Sequence, residues 1–124
     1  MDNVTTSRQV KTSNPDAIIQ TLDTPGAGRA YHEYQVIVKN EKGMITEAAF
    51  VKFQKGPIAE SGVNGCQQED LLAIVIDRLT SFQLGPYPCS ENAIALANCQ
   101  AALNWLNKRT EKRKQRGVEG KSEL

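Results

Sequence analysis

The chain has few of the residues from which metal and disulfide sites are built. Its 124 residues include three cysteines and one histidine, His32. Three is an odd number, and no two cysteines have the CxxC spacing of a zinc or redox site. We therefore expect no metal site, and free thiols at Cys66, Cys89 and Cys99 in a reducing compartment. A disulfide between Cys89 and Cys99 is an alternative for a secreted chain.

Long apolar runs and catalytic motifs are also missing. No stretch of about 18 apolar residues could span a membrane, and the first residues lack the apolar segment of a secretory signal. None of GxSxG, HExxH, GxGxxG or the phosphate-loop motif GxxxxGK[ST] is present. His32 falls in a strand-like run, where a packing or solvent-facing histidine is favoured over a general base. These absences predict a protein that is not an enzyme and uses no cofactor.

Positive charge is concentrated in one segment. Residues 107–116, NKRTEKRKQR, contain six Lys or Arg and one Glu, a charge of +5 in a chain of formal net charge +1. Residues 1–106 have 8 basic and 11 acidic residues, and the last eight residues add −1. A near-neutral protein that collects its cations in one place is typical of one that binds an anion. The alternative is a solvated helix end whose cations suit the helix dipole.

The turn signals and apolar runs predict an α+β chain of one domain, residues 1–124. Residues 1–30 are weakly patterned and predict an irregular arm. Within the arm, residues 17–22 fit either a short strand or a helical turn. Two strand-like runs joined by a Gly-containing loop predict an antiparallel β-hairpin at 31–54.

Two apolar helical runs predict a two-helix antiparallel hairpin at 66–116, followed by a tail at 117–124. The first helix is expected at 67–83, and the second begins at Ser90 or one residue earlier and ends near residue 115. The connector is short, so the helices should run antiparallel. Apolar residues cover more of the first helix than the stripe of about 100° that one partner helix needs. The remaining apolar surface needs a second cover, either the β-hairpin or another protomer, and we expect a homo-oligomer.

Aromatic, amide and guanidinium side chains at helical positions are the candidate ligand contacts. Arg109 and Arg113 are i, i+4 neighbours whose like charges repel unless an anion lies between them. Phe82 ends the first helix, and Asn92 lies in the first turn of the second, where free N–H groups favour anions. The alternative is that Phe82 caps the core and Asn92 solvates the helix start.

These candidates are too far apart for one pocket in one chain. Asn92 and Arg109 would be roughly 25 Å apart along a straight helix. Two antiparallel protomers would bring the Phe82 end of one chain to the Arg109 end of the other. The residues therefore predict a symmetric dimer with two shared pockets.

Several segments, taken in order and with their spacing, resemble the phage Thoeris anti-defence protein 1 family, whose helical hairpin is shared with the phage anti-CBASS sponges. The similarity covers residues 53–120, just over half of the chain. The segments that carry it are FQKGPI (53–58), GVNG (62–65), LLAIVIDRLTSFQLGP (71–86), CSENAIAL (89–96), ALNWL (102–106), KRT (108–110) and RGVEG (116–120).

The resemblance implies a non-enzymatic sponge acting in the cytoplasm of an infected bacterium. Members of that family bind cyclic ADP-ribose isomers, 1''-2' or 1''-3' glyco-cyclic ADP-ribose, which TIR-domain proteins of Thoeris defence make. They sequester the signal without cleaving it. They form dimers, and dimers form hexamers as trimers of dimers. Some also hold cyclic di- or trinucleotides at separate sites.

On this chain the resemblance places the adenine and phosphate contacts on Phe82, Asn92, Arg109 and Arg113. Arg29 in the arm is a further candidate, for a lid or a phosphate contact. Neither a membrane nor DNA is an expected partner. The competing interpretation is a small nucleic-acid-binding protein that uses the basic helix end on phosphates.

Overall fold

The structure is a computed structural model that describes residues 8–116, so the predicted tail at 117–124 lies outside the described residues. It confirms the predicted α+β class, because a four-stranded antiparallel sheet precedes the helices. The chain divides into two units, residues 1–66 and residues 67–124. That they form one domain stays a prediction. Within the described part, no helix is long and apolar enough to cross a membrane.

The first unit is a meander whose strands follow one another in chain order, β1-β2-β3-β4. The strands are β1 (Gln9–Val10), β2 (Ala17–Thr21), β3 (Glu33–Lys39) and β4 (Ile45–Lys52). Strands β3 and β4 form the predicted β-hairpin. Their loop is tight because the Asn40 side-chain oxygen accepts the N–H groups of Lys42 and Met44, both at 2.9 Å, and Gly43 takes the left-handed φ of 80°.

The arm is more regular than the sequence predicts, since it contains β1 and β2. The alternative of a helical turn at 17–22 is wrong, because Ile19 pairs with Val36 and Thr21 with Tyr34 in an antiparallel ladder. A short apolar run fits a strand or a helix equally well, and a partner strand distant in sequence decides between them. The local pattern contains no information about that partner.

Thr21, the last residue of β2, holds the residue that precedes β1. Its Oγ1 accepts the Arg8 N–H at 2.7 Å and lies 3.2 Å from the Arg8 carbonyl oxygen, to which it donates. Among residues 8–116, Thr21 alone is fully buried, with 1% of its surface exposed. A chain of this length ordinarily buries many apolar side chains. The described part of the single chain therefore has a shallow core, and large apolar side chains stay exposed.

The loop between β4 and the long helices, residues 53–66, is held by paired amides. Asn64 accepts the Lys55 N–H and donates to the Lys55 carbonyl, both at 2.8 Å. Gln54 accepts the Asn64 N–H at 3.0 Å and donates to the Gly62 carbonyl at 2.8 Å. The loop includes a one-turn helix, α1 (Ile58–Ser61), which the sequence analysis did not predict.

Gly65 in the same loop lies directly against the backbone of β4. A Cβ atom at Gly65 would come within 2.5 Å of the Phe53 carbonyl carbon and 2.6 Å of the Lys52 oxygen. The close approach allows the neighbouring Cys66 to extend the edge of the sheet: its N–H donates to the Lys52 carbonyl, and its own carbonyl accepts the Gln54 N–H, both at 2.8 Å.

The second unit is the predicted helical hairpin, formed by α2 (Gln68–Leu84) and α3 (Ser90–Gln115). Helix α2 begins where the Asp70 carboxylate accepts the Gln67 N–H at 2.8 Å. The N-cap of α3 is Cys89, the earlier of the two predicted positions: its sulfur accepts the Asn92 N–H at 3.4 Å. The first turn of α2 lines one concavity with Leu106, Asn107, Arg109 and Thr110 of α3, so the two helices run antiparallel, as expected.

Candidate ligand-binding site

The last turns of α3 form a cationic concavity of about 350 Å³. Positions at steps of three and four along one helix share a face, so this spacing places an indole and five cations side by side. The charges raise the local potential for an anion, and the C-terminal dipole of α3 favours cations at the same place. The residues that line the concavity are Trp105, Lys108, Arg109, Lys112, Arg113 and Arg116.

Trp105 adds a flat apolar surface to these charges. Its side chain is 67% exposed, and the Lys108 ammonium lies 4.8 Å from the ring centroid. Helical spacing in the sequence puts Trp105 on the same face as Arg109 and Arg113, but neither Trp105 nor Lys108 is among the predicted ligand contacts. The spacing of three residues between Trp105 and Lys108 is the signal for their contact.

Arg109 also borders a second, polar concavity of about 270 Å³. That concavity includes Glu69 and Asp70 from the first turn of α2. Arg109 therefore lies between a cationic surface and two carboxylates. Arg113 lines the cationic concavity.

The other end of the helical hairpin carries Phe82 and Asn92. Phe82 lies in the last turn of α2 and is 47% exposed. The Arg78 guanidinium lies over its ring, 5.0 Å from the centroid, an arrangement that the sequence analysis missed. Asn92 is half-buried in the first turn of α3, and its backbone N–H is bound by Cys89. The connector closes this end, because the Cys89 N–H donates to the Gln83 side chain at 3.0 Å.

The predicted contacts thus form two groups within the helical unit. Arg109 and Arg113 lie together near the end of α3. Phe82 and Asn92 lie at the connector, and an unbroken α3 separates Asn92 from Arg109 by 17 residues, roughly 25 Å. The assignment of these residues as ligand contacts stays a prediction.

Arg29 belongs to the sheet unit, in the loop between β2 and β3. It has a positive φ of 71°, which is strained for a residue with a side chain. The loop is closed by two hydrogen bonds of 2.9 Å, from the Arg29 N–H to the Gly26 carbonyl and from the Gly26 N–H to the Ala30 carbonyl. Arg29 itself is exposed, so its guanidinium is displayed from a constrained turn.

His32 supports the base of this loop. Its Nδ1 lies 3.6 Å from the Asp23 carboxylate, which also accepts the backbone N–H groups of His32 and Glu33 at 3.2 Å. Gly26 packs so closely on the imidazole that a Cβ there would overlap it. His32 is therefore a packing residue in this structure. Within residues 8–116, no group of three or more His, Cys, Asp or Glu side chains could hold a metal ion.

These features define a class: a small α+β protein whose antiparallel helical hairpin has a cationic concavity at one end and an exposed aromatic ring at the other. The family model for the Acb2/Tad1 hairpin domain matches residues 46–111, more than half of the chain. The chain belongs to this family, which confirms the resemblance noted from its segments.

A relative extends the similarity beyond the hairpin domain. The protein Thoeris anti-defense 1 of Bacillus phage SBSphiJ7 is 49% identical to this chain over 96 residues. The alignment covers 77% of this chain and 66% of the relative, so the chain spans just under two thirds of that protein's length.

Proposed function

We propose that this chain is a phage inhibitor of Thoeris defence that binds a cyclic ADP-ribose isomer and holds it without cleavage. The observation that carries the proposal is the cationic concavity on α3, which offers forked donors to phosphates beside an exposed indole. Family membership and the name of the phage relative, Thoeris anti-defense 1, support it. A signal of this kind is encountered in the cytoplasm of the infected host.

The chemistry of the ligand matches the side chains. Glyco-cyclic ADP-ribose has an adenine, for which Phe82 offers a stacking face, and a pyrophosphate, for which Arg109 and Arg113 offer charge-assisted hydrogen bonds. Stacking contributes about 1–3 kcal/mol per base, and each charge-assisted hydrogen bond contributes about 1.5–3 kcal/mol. A few such contacts in a partly closed site reach about −12 kcal/mol, which is nanomolar binding. A stoichiometric inhibitor needs such affinity because it competes with a sensor.

We propose that each pocket is shared between two protomers. The distance between Asn92 and Arg109 along α3 supports this, since one straight helix cannot bring both to a small ligand. The shallow core supports it as well: Ile74 on α2 is 64% exposed, and Val75, Ile94 and Trp105 are also exposed. A two-fold dimer would cover apolar surface and form two equal pockets. Assembly of dimers into hexamers, and separate sites for cyclic di- or trinucleotides, are extensions of the same proposal.

The decisive experiment identifies the captured molecule. Purified protein is incubated with extract from cells whose TIR-domain defence is active, washed and heat-denatured, and the released molecule is identified by mass spectrometry. We expect intact glyco-cyclic ADP-ribose. Release of linear ADP-ribose would show hydrolysis, and release of no nucleotide would contradict the proposal.

Variants then test the site. Phe82→Ala and Arg109→Ala should each abolish capture, while light scattering shows an unchanged oligomer. Lys114→Ala is the matched control, because Lys114 is an exposed cation of α3 that does not line the cationic concavity. Unchanged affinity in both Phe82→Ala and Arg109→Ala would show that the site assignment is wrong.

A second candidate function is nucleic-acid binding, which the exposed Trp105 beside five cations favours. Aromatic faces stack on unpaired bases while neighbouring cations track the phosphates. Affinity for any single strand would then fall steeply with salt. Titration with a single-stranded oligonucleotide and with glyco-cyclic ADP-ribose over a series of salt concentrations separates the two functions.

A further inference from the structure

Arg78 is the one basic residue of α2, and the structure places it on the aromatic ring at the connector end. Its guanidinium carbon lies 5.0 Å from the Phe82 centroid. The two residues are i, i+4 neighbours and therefore share one helix face. The ring restrains an otherwise flexible side chain, and this reduces the entropy that the side chain loses when it binds a ligand.

The hydrogen-bonding capacity of Arg78 is not taken up by an acidic partner. Within the part of the chain that the structure describes, no carboxylate forms an ion pair with it. A guanidinium has five N–H donors in its own plane, so contact with one ring leaves donors for an anion. Arg78 is also exposed, so these donors can reach an anion.

Phe82 has two faces, and Arg78 is over one of them. The ring is nevertheless 47% exposed, so it retains surface on which a base could stack. A guanidinium and an aromatic surface side by side are complementary to a nucleotide, in which a phosphate and a base are joined by a sugar. The far end of the hairpin has a comparable pair, with Lys108 4.8 Å from the Trp105 ring centroid.

We propose that Arg78 is a further ligand-binding residue, which donates to a phosphate of the nucleotide whose base stacks on Phe82. The inference rests on the proposed function. It adds a third guanidinium to the shared pocket, supplied by the protomer that supplies Phe82. The pyrophosphate is then held from both chains, whereas Arg109 and Arg113 alone would hold it from one side.

The test compares Arg78→Met with the wild-type protein and with Lys114→Met. Both substitutions remove one positive charge, and Lys114 does not line the cationic concavity. Isothermal calorimetry with glyco-cyclic ADP-ribose at low and moderate salt should show affinity about tenfold weaker for Arg78→Met, the loss of one charge-assisted hydrogen bond. Its salt dependence should also be shallower, because one ion contact is missing. Lys114→Met should bind within about twofold of the wild type.

Binding of adenosine separates a phosphate contact from simple support of the ring. Adenosine has the base and no phosphate, so its affinity, measured by ligand-observed NMR, should be the same in Arg78→Met and in the wild type. An equal loss for both ligands would overturn the inference, since Arg78 would then only orient Phe82. Unchanged affinity for glyco-cyclic ADP-ribose in Arg78→Met would overturn it while the proposed function stands. Failure of the wild-type protein to bind this ligand would overturn both.

Discussion

Phe82 and Arg109 lie at opposite ends of one helical hairpin. Phe82 is in the last turn of α2, next to the connector, whereas Arg109 lines a concavity with the first turn of α2. The hairpin is closed at one end by Cys89 and Gln83, so its helices keep these two residues apart. Any site that uses both must be assembled from two chains.

This relationship predicts that two inactive variants restore binding when they are mixed. Phe82→Ala supplies intact arginines, and Arg109→Ala supplies an intact ring. In a random mixture of dimers, half contain both chains, and each mixed dimer has one intact pocket of two. Refolding the two variants together should therefore recover roughly a quarter of the wild-type binding capacity. Calorimetry measures that capacity, and its complete absence would indicate a pocket within a single chain.

The geometry of the guanidinium should matter as well as its charge. Arg113→Lys keeps the charge but loses the planar fork that takes two phosphate oxygens at once. We expect affinity for glyco-cyclic ADP-ribose to fall about tenfold in Arg113→Lys and about a hundredfold in Arg113→Ala. Surface plasmon resonance at constant salt resolves the two values. Equal affinity for Arg113→Lys and the wild type would contradict this, because Arg113 would then contribute to binding through its charge alone.

Substitution of Arg29 by glycine should affect the stability of the fold and the affinity for the ligand in opposite directions. Because its φ of 71° favours glycine, Arg29→Gly should raise the free energy of unfolding by about 0.5–1 kcal/mol. If the loop closes over the ligand, the same substitution removes a phosphate donor and weakens binding about tenfold. Urea denaturation and calorimetry on the same sample report both effects. A stabilised variant with wild-type affinity would exclude Arg29 from the site.

Gly65 should tolerate no side chain. Since a Cβ atom would meet the Phe53 carbonyl carbon at 2.5 Å, Gly65→Ala should lower the free energy of unfolding by about 1–3 kcal/mol. Gly28 is the matched control, because nothing lies within 4 Å of a Cβ built there. Gly28→Ala should be neutral or slightly stabilising. Urea denaturation of the two variants measures the difference, and equal stability would contradict the close approach.

The helical half of the fold could be predicted from local signals. Apolar periodicity, Asp70 in the first turn of α2 and the Pro-rich connector place both helices to within a residue or two. The same periodicity places Arg109 and Arg113 on one face, and the structure finds them lining one concavity. These features depend on neighbours a few residues apart, and such neighbours are visible in a sequence.

Other features could not be predicted from apolar periodicity and capping propensity. Strand β2 exists because Ile19 pairs with Val36. The positive φ of Arg29 depends on a loop closed by backbone hydrogen bonds. The cap of α3 is a cysteine sulfur, whereas Ser90 is the stronger N-cap residue by propensity. By contrast, the Arg78–Phe82 contact had a local signal, the i, i+4 spacing, that was overlooked.

The unbroken length of α3 has a consequence for how the proposed binding depends on chain concentration. If each pocket needs two chains, a newly synthesised chain captures nothing until it meets a second one. Below the dimer dissociation constant, binding capacity then rises with the square of chain concentration rather than in proportion to it. On the proposed function, capture of the signal would then begin abruptly, at a time set by how fast the chain is synthesised.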